Sequence, residues 1–237
     1  MSKIEWTEKT WNVVTGCTKI TAGCAHCYAE RMSKRLQAMG QPNYVNGFKV
    51  TTHEHMLLVP LERKKPTMYF VCSMSDLFHQ DVPFDFIQRV FDMMRQADWH
   101  TFQVLTKRPE RMLEFSRTIQ WPANVWAGTT VESIHVATHR IEALNQIQAP
   151  IRFLSCEPLL GPLGKADFSM IHWVIVGGES GPGARPMNIS SALEIKSKAR
   201  AHGIAFFMKQ ITDDRGRKIP MENWPEELRV REMPHVE

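Results

Sequence analysis

Six nearly continuous apolar runs, each closed by turn residues and set apart from the next by an amphipathic stretch, most narrowly limit how this chain folds. They are MYFVCSMSD from Met68, TFQVLTKRP from Thr101, NVWAGTTVE from Asn124, IRFLSCEPLLG from Ile151, HWVIVGGESG from His172 and IAFFMKQ from Ile204. Strands this apolar call for a parallel sheet covered on its outer face by helices. The stretches between them supply such helices. Phe84, Ile87, Phe91 and Met94 recur at helical spacing behind Pro83, and Ile134, Thr138, Ile141 and Leu144 do the same. Ala192, Ile195 and Ala199 form a third stripe between Asn188, an N-cap residue, and Gly203, a stop. Ahead of these, residues 29–39 read as a helix with Met32, Leu36 and Met39 on the core face and Arg31, Lys34 and Arg35 opposite. A short strand around residues 11–14 brings the strands to about seven. Strand plus helix recurs every ~20 to 32 residues, against ~31 for each unit of a full eight-unit barrel. The predicted fold is α/β: a partial (βα) TIM-type barrel of about six to seven parallel strands, a single domain over residues 1–237 with 211–237 as a C-terminal extension. A doubly wound sheet would carry a glycine-rich dinucleotide fingerprint after its first strand, and GGESGPG at 177–183 is not that fingerprint.

Before the first long run stands TGCTKITAGCAHCYAE, which packs Cys17, Cys24 and Cys27 into a C-x6-C-x2-C triplet. Three thiolates from one loop hold three irons of a cubane cluster and leave the fourth iron open to a substrate or cofactor, whereas four closed ligands favour a structural or electron-transfer site. Zinc accepts thiolates at similar spacing, with His26 or a distant histidine as the fourth ligand. A thioredoxin-like CxxC pair would sit between a strand and a helix, which Cys24 and Cys27 do not. With five cysteines, an odd number, and no secretory leader, a disulfide framework is not expected. The expected location is the cytoplasm. With charged residues Glu5 and Glu8 near the start, and apolar segments as short as WVIV at 173–176, neither an export nor a membrane segment is expected. The net charge of +4 permits a nucleic-acid partner without requiring one.

The predicted C-terminal strand ends, where barrels of this kind gather their chemistry, are polar. In order they carry Ser73, Ser75 and Asp76; Thr106, Lys107 and Arg108; Thr129, Thr130 and Glu132; Glu157; Gly177, Gly178, Glu179 and Ser180; and Lys209 and Gln210. Strands that merely needed capping would use Gly, Asn, Asp and Pro rather than recurrent Lys, Arg and Glu.

The cysteine triplet with Tyr28 behind it resembles radical S-adenosylmethionine enzymes, most of which have a first spacing of three residues rather than the six found here. The longer strings TWNVVTGCTKITAGCAHCYAE, SMSDLFH, HTFQVLTKRPERM, NVWAGTTVE, RFLSCEPLLGPL, WVIVGGESGPGARPM and FFMKQ look like a phage-associated radical-SAM-like family, also found in bacterial genomes and described by its three-Cys motif. That likeness covers about residues 5–210.

The resemblance implies a [4Fe-4S] cluster on Cys17, Cys24 and Cys27, with S-adenosylmethionine chelating the open iron. It implies a 5'-deoxyadenosyl radical that abstracts hydrogen from the substrate, in an isomerase- or lyase-type reaction. Ser73, Ser75 and Asp76 stand where the superfamily receives the methionine amino group with a Gly-Gly-Glu type motif, and this departure leaves each residue's part open. Thr106, Gly177, Gly178 and Glu179 complete the implied cofactor site, the glycines by letting backbone approach the adenosine. Arg108, Trp126, Glu132, Arg185 and Lys209 are candidates to bind substrate, paired cations suiting a phosphate or carboxylate. Lys107, Glu157 and Cys156 are the catalytic candidates, Cys156 as a hydrogen-atom donor, while Cys72 reads as a small core residue. The expected substrate is a small molecule or nucleotide, or a base in phage DNA undergoing hypermodification or repair. A duplex base would have to leave its stack. An external electron donor such as flavodoxin or ferredoxin is implied. The rival is a non-catalytic zinc- or cluster-containing nucleic-acid-binding protein.

Overall fold

The computed structural model describes residues 4–235, so both ends of the expected 1–237 domain lie outside the described residues. The elements run β1 (Lys9–Trp11), β2 (Val14–Thr15), α1 (Tyr28–Ala38), β3 (Thr51–Thr52), α2 (Val59–Glu62), β4 (Met68–Val71), α3 (Phe84–Gln96), β5 (Thr101–Thr106), α4 (Pro109–Ser116), β6 (Val125–Thr130), α5 (Ile134–Asn145), β7 (Arg152–Cys156), β8 (Trp173–Gly177), α6 (Ile189–Ala201), β9 (Ala205–Thr212) and β10 (Lys218–Ile219). Eight strands form one sheet in the order β1-β4-β5-β6-β7-β8-β9-β10, while β2 pairs with β3. The sheet is mostly parallel, with β10 antiparallel to β9, and helices α3, α4, α5 and α6 follow β4, β5, β6 and β8. This is the α/β, partial (βα) TIM-type architecture that the apolar runs predict. The strand expected at residues 11–14 is split: its first part joins the sheet as β1, and β2 turns away to meet β3.

The chain divides into two compact units. The first takes the described residues up to Ile20, Cys27–Ala127 and Gln148–Pro150; the second takes Thr21–His26, Gly128–Ile147 and the described residues from Ile151 on. In the first unit Tyr69 of β4 lies in register with Lys9 of β1 and Phe102 of β5, and the Tyr69 and Phe102 rings stack at 5.6 Å. Behind Pro83, α3 buries Phe86, Ile87, Val90, Phe91 and Met94, and Phe91 meets Phe115 of α4 at 5.0 Å between ring centroids. Each such buried side chain contributes about 1.5–3 kcal/mol of apolar burial. In the second unit Phe153 of β7, Trp173 of β8 and Ala205 of β9 share one register row, and the two aromatic rings lie 5.7 Å apart. Against this sheet α6 buries Ala192, Ile195 and Ala199. Asn188 caps the helix by accepting from the Ser190 N–H at 2.9 Å, and Gly203, at φ +66°, ends it.

Two helical faces differ from the sequence pattern. In α1 the buried positions are Ala29 and Ser33, while Met32 is 40% and Met39 59% exposed. The helix seats its small residues inward, where close approach leaves no room for Met. In α5 Ile134 and Thr138 are exposed, and Ala137, Arg140, Ile141, Ala143 and Leu144 are buried. The turn of that face follows from Arg140, whose guanidinium is drawn in by Glu132 at 3.0 Å and by the Thr130 carbonyl at 2.6 Å. Among the described residues, no helix is long and apolar enough to cross a membrane.

Candidate active site at the cysteine loop

The cysteine loop opens at Gly16, whose φ of +82° and 2.2 Å clearance between an added Cβ and the Lys49 carbonyl exclude any other residue without backbone movement. Its N–H donates to the Met74 carbonyl at 3.2 Å, and the Cys17 N–H to that of Phe48 at 3.3 Å. Cys24 closes a 3-10 turn over Ala22–Cys24, its N–H donating to the Thr21 carbonyl at 3.0 Å. Cys27 is the N-cap of α1, at the positive end of the helix dipole. All three thiols are partly exposed, none of the five cysteines forms a disulfide, and Cys72 and Cys156 are buried. Burial pushes the Cys72 thiol up to about 12; burial, and then the Glu157 and Glu132 charges, push Cys156 up as well. Among the described residues no three His, Cys, Asp or Glu side chains stand together as they would around a single metal ion. The loop's donor set is three sulfurs, Cys17 in an irregular stretch after β2, Cys24 on the 3-10 turn and Cys27 at the start of α1, and that chemistry fits an iron–sulfur cluster. The buried pair would have to be deprotonated in an apolar surrounding to ligate, which disfavours them.

In the first unit the loop is organised by Asp76. Its Oδ1 accepts from the Thr106 hydroxyl at 2.7 Å and the Phe78 N–H at 3.0 Å. Its Oδ2 accepts from the Lys107 N–H at 3.0 Å and from Arg108 Nη1 at 3.2 Å. Asp76 and Thr106 are buried, and the carboxylate's acceptor sites are largely filled by the protein. Arg108 reaches past Asp76 to donate to Cys17 Sγ at 3.7 Å and to Thr18 Oγ1 at 3.0 Å. Ser73 Oγ donates to Asn12 Oδ1 at 3.1 Å, Ser75 Oγ donates to the Val14 carbonyl at 2.7 Å, and the Tyr28 hydroxyl donates to the Ser73 carbonyl.

In the second unit Glu179 plays the corresponding part. Its carboxylate accepts from Arg185 Nη2 at 2.6 Å, from Arg185 Nε and N–H at 2.9 Å each, and from His26 Nδ1 at 2.9 Å, while Arg185 Nη2 also donates to the Ala22 carbonyl at 2.9 Å. Burial by itself would raise the Glu179 carboxyl. The hydrogen bonds from Arg185 and His26 and the guanidinium charge outweigh it and hold the group at about 2. Arg185 and Glu179 thus tie the turn that carries Cys24 to the loop after β8.

The other expected residues are also engaged. Glu157 pairs with Lys209 at 2.8 Å, and a Cβ on Gly177 would come within 2.7 Å of Glu157 Oε1. A Cβ on Gly178 would strike Thr212 Oγ1 at 2.4 Å, so both glycines are required by protein packing in their own unit. Glu132 is buried against Arg140 with its Oε1 accepting no hydrogen bond, and an added Cβ on Gly23 would lie 3.0 Å from that oxygen. Trp126 is 3% exposed, which leaves little of its ring for stacking. Lys107 is half-buried and Cys156 fully buried beside Glu157. Thr18, His79, Arg140 and the anchoring part of His26 were not singled out in the sequence. His26 and Glu179 stand 153 residues apart, and no local pattern signals such a pair.

The sheet order defines a partial-barrel α/β protein. The chain belongs to the family described as "Protein of unknown function (DUF5131)", whose model matches residues 1–228. No curated protein matches it. Among solved structures it is similar to a cysteine-to-serine mutant of spore photoproduct lyase, with 13% identity and a TM-score of 0.50 over 85% of this chain and 74% of that one. A second structure of that lyase, with bound AdoMet and dinucleoside spore photoproduct, gives 11% identity and a TM-score of 0.49 over 86% of this chain and 76% of that one. A third, complexed with dinucleoside spore photoproduct, gives 13% identity and a TM-score of 0.44 over 70% of this chain, which spans 54% of its length. At such identity the likeness is one of fold.

Proposed function

We propose that this protein is a radical S-adenosylmethionine enzyme of the isomerase or lyase type, with Cys17, Cys24 and Cys27 as the ligands of a [4Fe-4S] cluster. Its substrate is a nucleotide or a nucleobase, including a base in DNA. The observation that carries this reading is that the three thiols of the motif are the partly exposed ones, while Cys72 and Cys156 are buried. When bound, the cluster supplies the electron for reductive cleavage of the sulfonium, and hence the abstraction of a substrate hydrogen. The chain's own residues fasten the ligand segments, Arg108 at Cys17 in the first unit and Glu179 at His26 in the second. Arg108, Arg185 and Lys209 each face a carboxylate, of Asp76, Glu179 and Glu157, so an anionic substrate must compete for them. On α1, Arg31, Lys34 and Arg35 are exposed cations that a phosphate can reach, Lys34 being paired with Glu30 at 2.9 Å. A soluble carrier such as flavodoxin or ferredoxin would supply the electron.

Anaerobic reconstitution followed by iron and sulfide analysis, with an assay for 5'-deoxyadenosine under reduction, tests the proposal. Four irons per chain and deoxyadenosine formation, both lost in Cys17→Ala, are expected. A zinc site is the second reading. Glu179 holds His26 through Nδ1 and leaves Nε2 as a ligand atom, the carboxylate–histidine pattern of zinc proteins. One zinc per chain and no deoxyadenosine would establish that reading and overturn the first.

A further inference from the structure

The first unit contains a side-chain relay that the substrate-binding role expected for Arg108 does not explain. Asp81 N–H donates to His79 Nδ1 at 3.1 Å, which leaves the ring's proton on Nε2, 2.8 Å from Thr18 Oγ1. The Thr18 hydroxyl in turn accepts from Arg108 Nη2 at 3.0 Å, and the same nitrogen donates to the Thr18 carbonyl at 3.3 Å. On the other arm of the fork, Nη1 lies 3.2 Å from Asp76 Oδ2 and 3.7 Å from Cys17 Sγ. The Arg108 side chain is 13% exposed and that of Asp76 7%. A guanidinium fixed on two sides by Asp76 and Thr18 has its planar fork committed, and its remaining contact is a sulfur.

We infer that Arg108 is a positioning and tuning residue for the first cysteine ligand: it donates a charged hydrogen bond to Cys17 Sγ and thereby raises the reduction potential of the cluster site. This inference rests on the proposed cluster. Reduction adds negative charge to the cluster and its thiolates, and a fixed positive charge with an N–H aimed at a ligand sulfur favours the more negative state. The effect is largest where water is scarce, as it is around a side chain this buried. Asp76 keeps its three donors from Thr106, Phe78 and Lys107 when Arg108 is replaced, so its carboxylate stays hydrogen-bonded and the fold is retained.

The test is an EPR-monitored redox titration of the reconstituted full chain, with iron content measured alongside. Arg108→Gln is expected to lower the potential by about a tenfold change in the one-electron reduction equilibrium, about 59 mV. Arg108→Lys keeps the charge and is expected to retain most of the potential. Thr18→Val frees one arm of the fork and is expected to lie between wild type and Arg108→Gln. A residue that only props the loop would cost iron occupancy in Arg108→Gln and leave the potential of the loaded fraction where it was. That result overturns the inference, as does a Lys variant as low as the Gln variant. Should the wild-type chain bind no iron–sulfur cluster, the proposed function falls and this inference with it; a loaded wild type with an unmoved Arg108→Gln potential sinks this inference alone.

Discussion

At the scale of single residues, two buried carboxylates do most of the organising, and each is matched to a cation within its own unit. Asp76 gathers the ends of β4 and β5 about Arg108, and Glu179 gathers the loop after β8 about Arg185 and His26. For Glu179 the consequence is measurable as a function of pH. Its carboxyl is held at about 2 in the folded chain against an ordinary value of 4.5. A carboxyl depressed on folding contributes stability that is complete above the unfolded value and is lost as pH falls from there through the folded value. The window therefore runs from about pH 4.5 down to about pH 2, and the contribution at neutral pH is about 3 kcal/mol. Glu179→Gln should remove that contribution and flatten this part of the stability profile. Urea denaturation of wild type and variant at about pH 6 and about pH 3 checks it; equal pH dependence in the two proteins would rule out the assigned role.

Among the elements, α1 is the informative one. It starts at the third cysteine of the motif, yet it turns Ala29 and Ser33 inward and leaves Tyr28, Met32 and Met39 at the surface. Met32→Gln should then change stability by less than about 0.5 kcal/mol, as for an ordinary surface position. Ala29→Leu should overpack the contact and cost about 1–3 kcal/mol. Thermal melts of the two variants are sufficient, and a larger loss from Met32→Gln than from Ala29→Leu would mean the helix faces the other way. The same helix shows what the amino-acid pattern conveys and what it omits. Near-continuous apolar runs locate β4 to β9, because a strand buried on both faces must be apolar throughout. A helix with large and small residues on different sides gives no such certainty, since hydrophobic periodicity favours Met while close packing selects Ala and Ser. The triplet of cysteines and the polar strand ends were legible for a similar reason, being local. The partners of those polar residues were not: Asp76 with Arg108, Glu179 with His26, and Glu157 with Lys209 are joined across the fold, where spacing along the chain carries no information. The pairs β2–β3 and β9–β10, of two residues per strand or ladder, are likewise too short to leave a pattern.

On the scale of the whole chain, an open sheet must protect its last strand from pairing with other molecules. In the second unit β9 is covered along its outer edge by two separate stretches. Lys218 and Ile219 of β10 pair with Thr212 and Ile211, and farther back the Met208 N–H donates to the Val230 carbonyl at 2.8 Å while the Phe206 N–H donates to Glu232 Oε2 at 2.9 Å. The second stretch is fastened from both sides. Trp224 and Leu228 are buried, Trp173 Nε1 donates to the Glu232 carbonyl at 2.9 Å, and Lys196 Nζ donates to that of Glu227. The residues from 224 to 232, within the stretch the sequence assigned to an extension, thus complete the second unit's sheet. Ending the chain after Pro220 would uncover the backbone donors of Phe206 and Met208 and remove two buried apolar side chains, at about 1.5–3 kcal/mol each. Such a chain should lose soluble yield and scatter light on concentration, and Trp224→Ala alone should cost about 3–5 kcal/mol. Soluble-fraction assays and denaturant titration measure both effects. A truncated chain that stays monomeric and keeps the wild-type midpoint would show that β9 needs no cover, and that the edge is guarded by its own twist and charge instead.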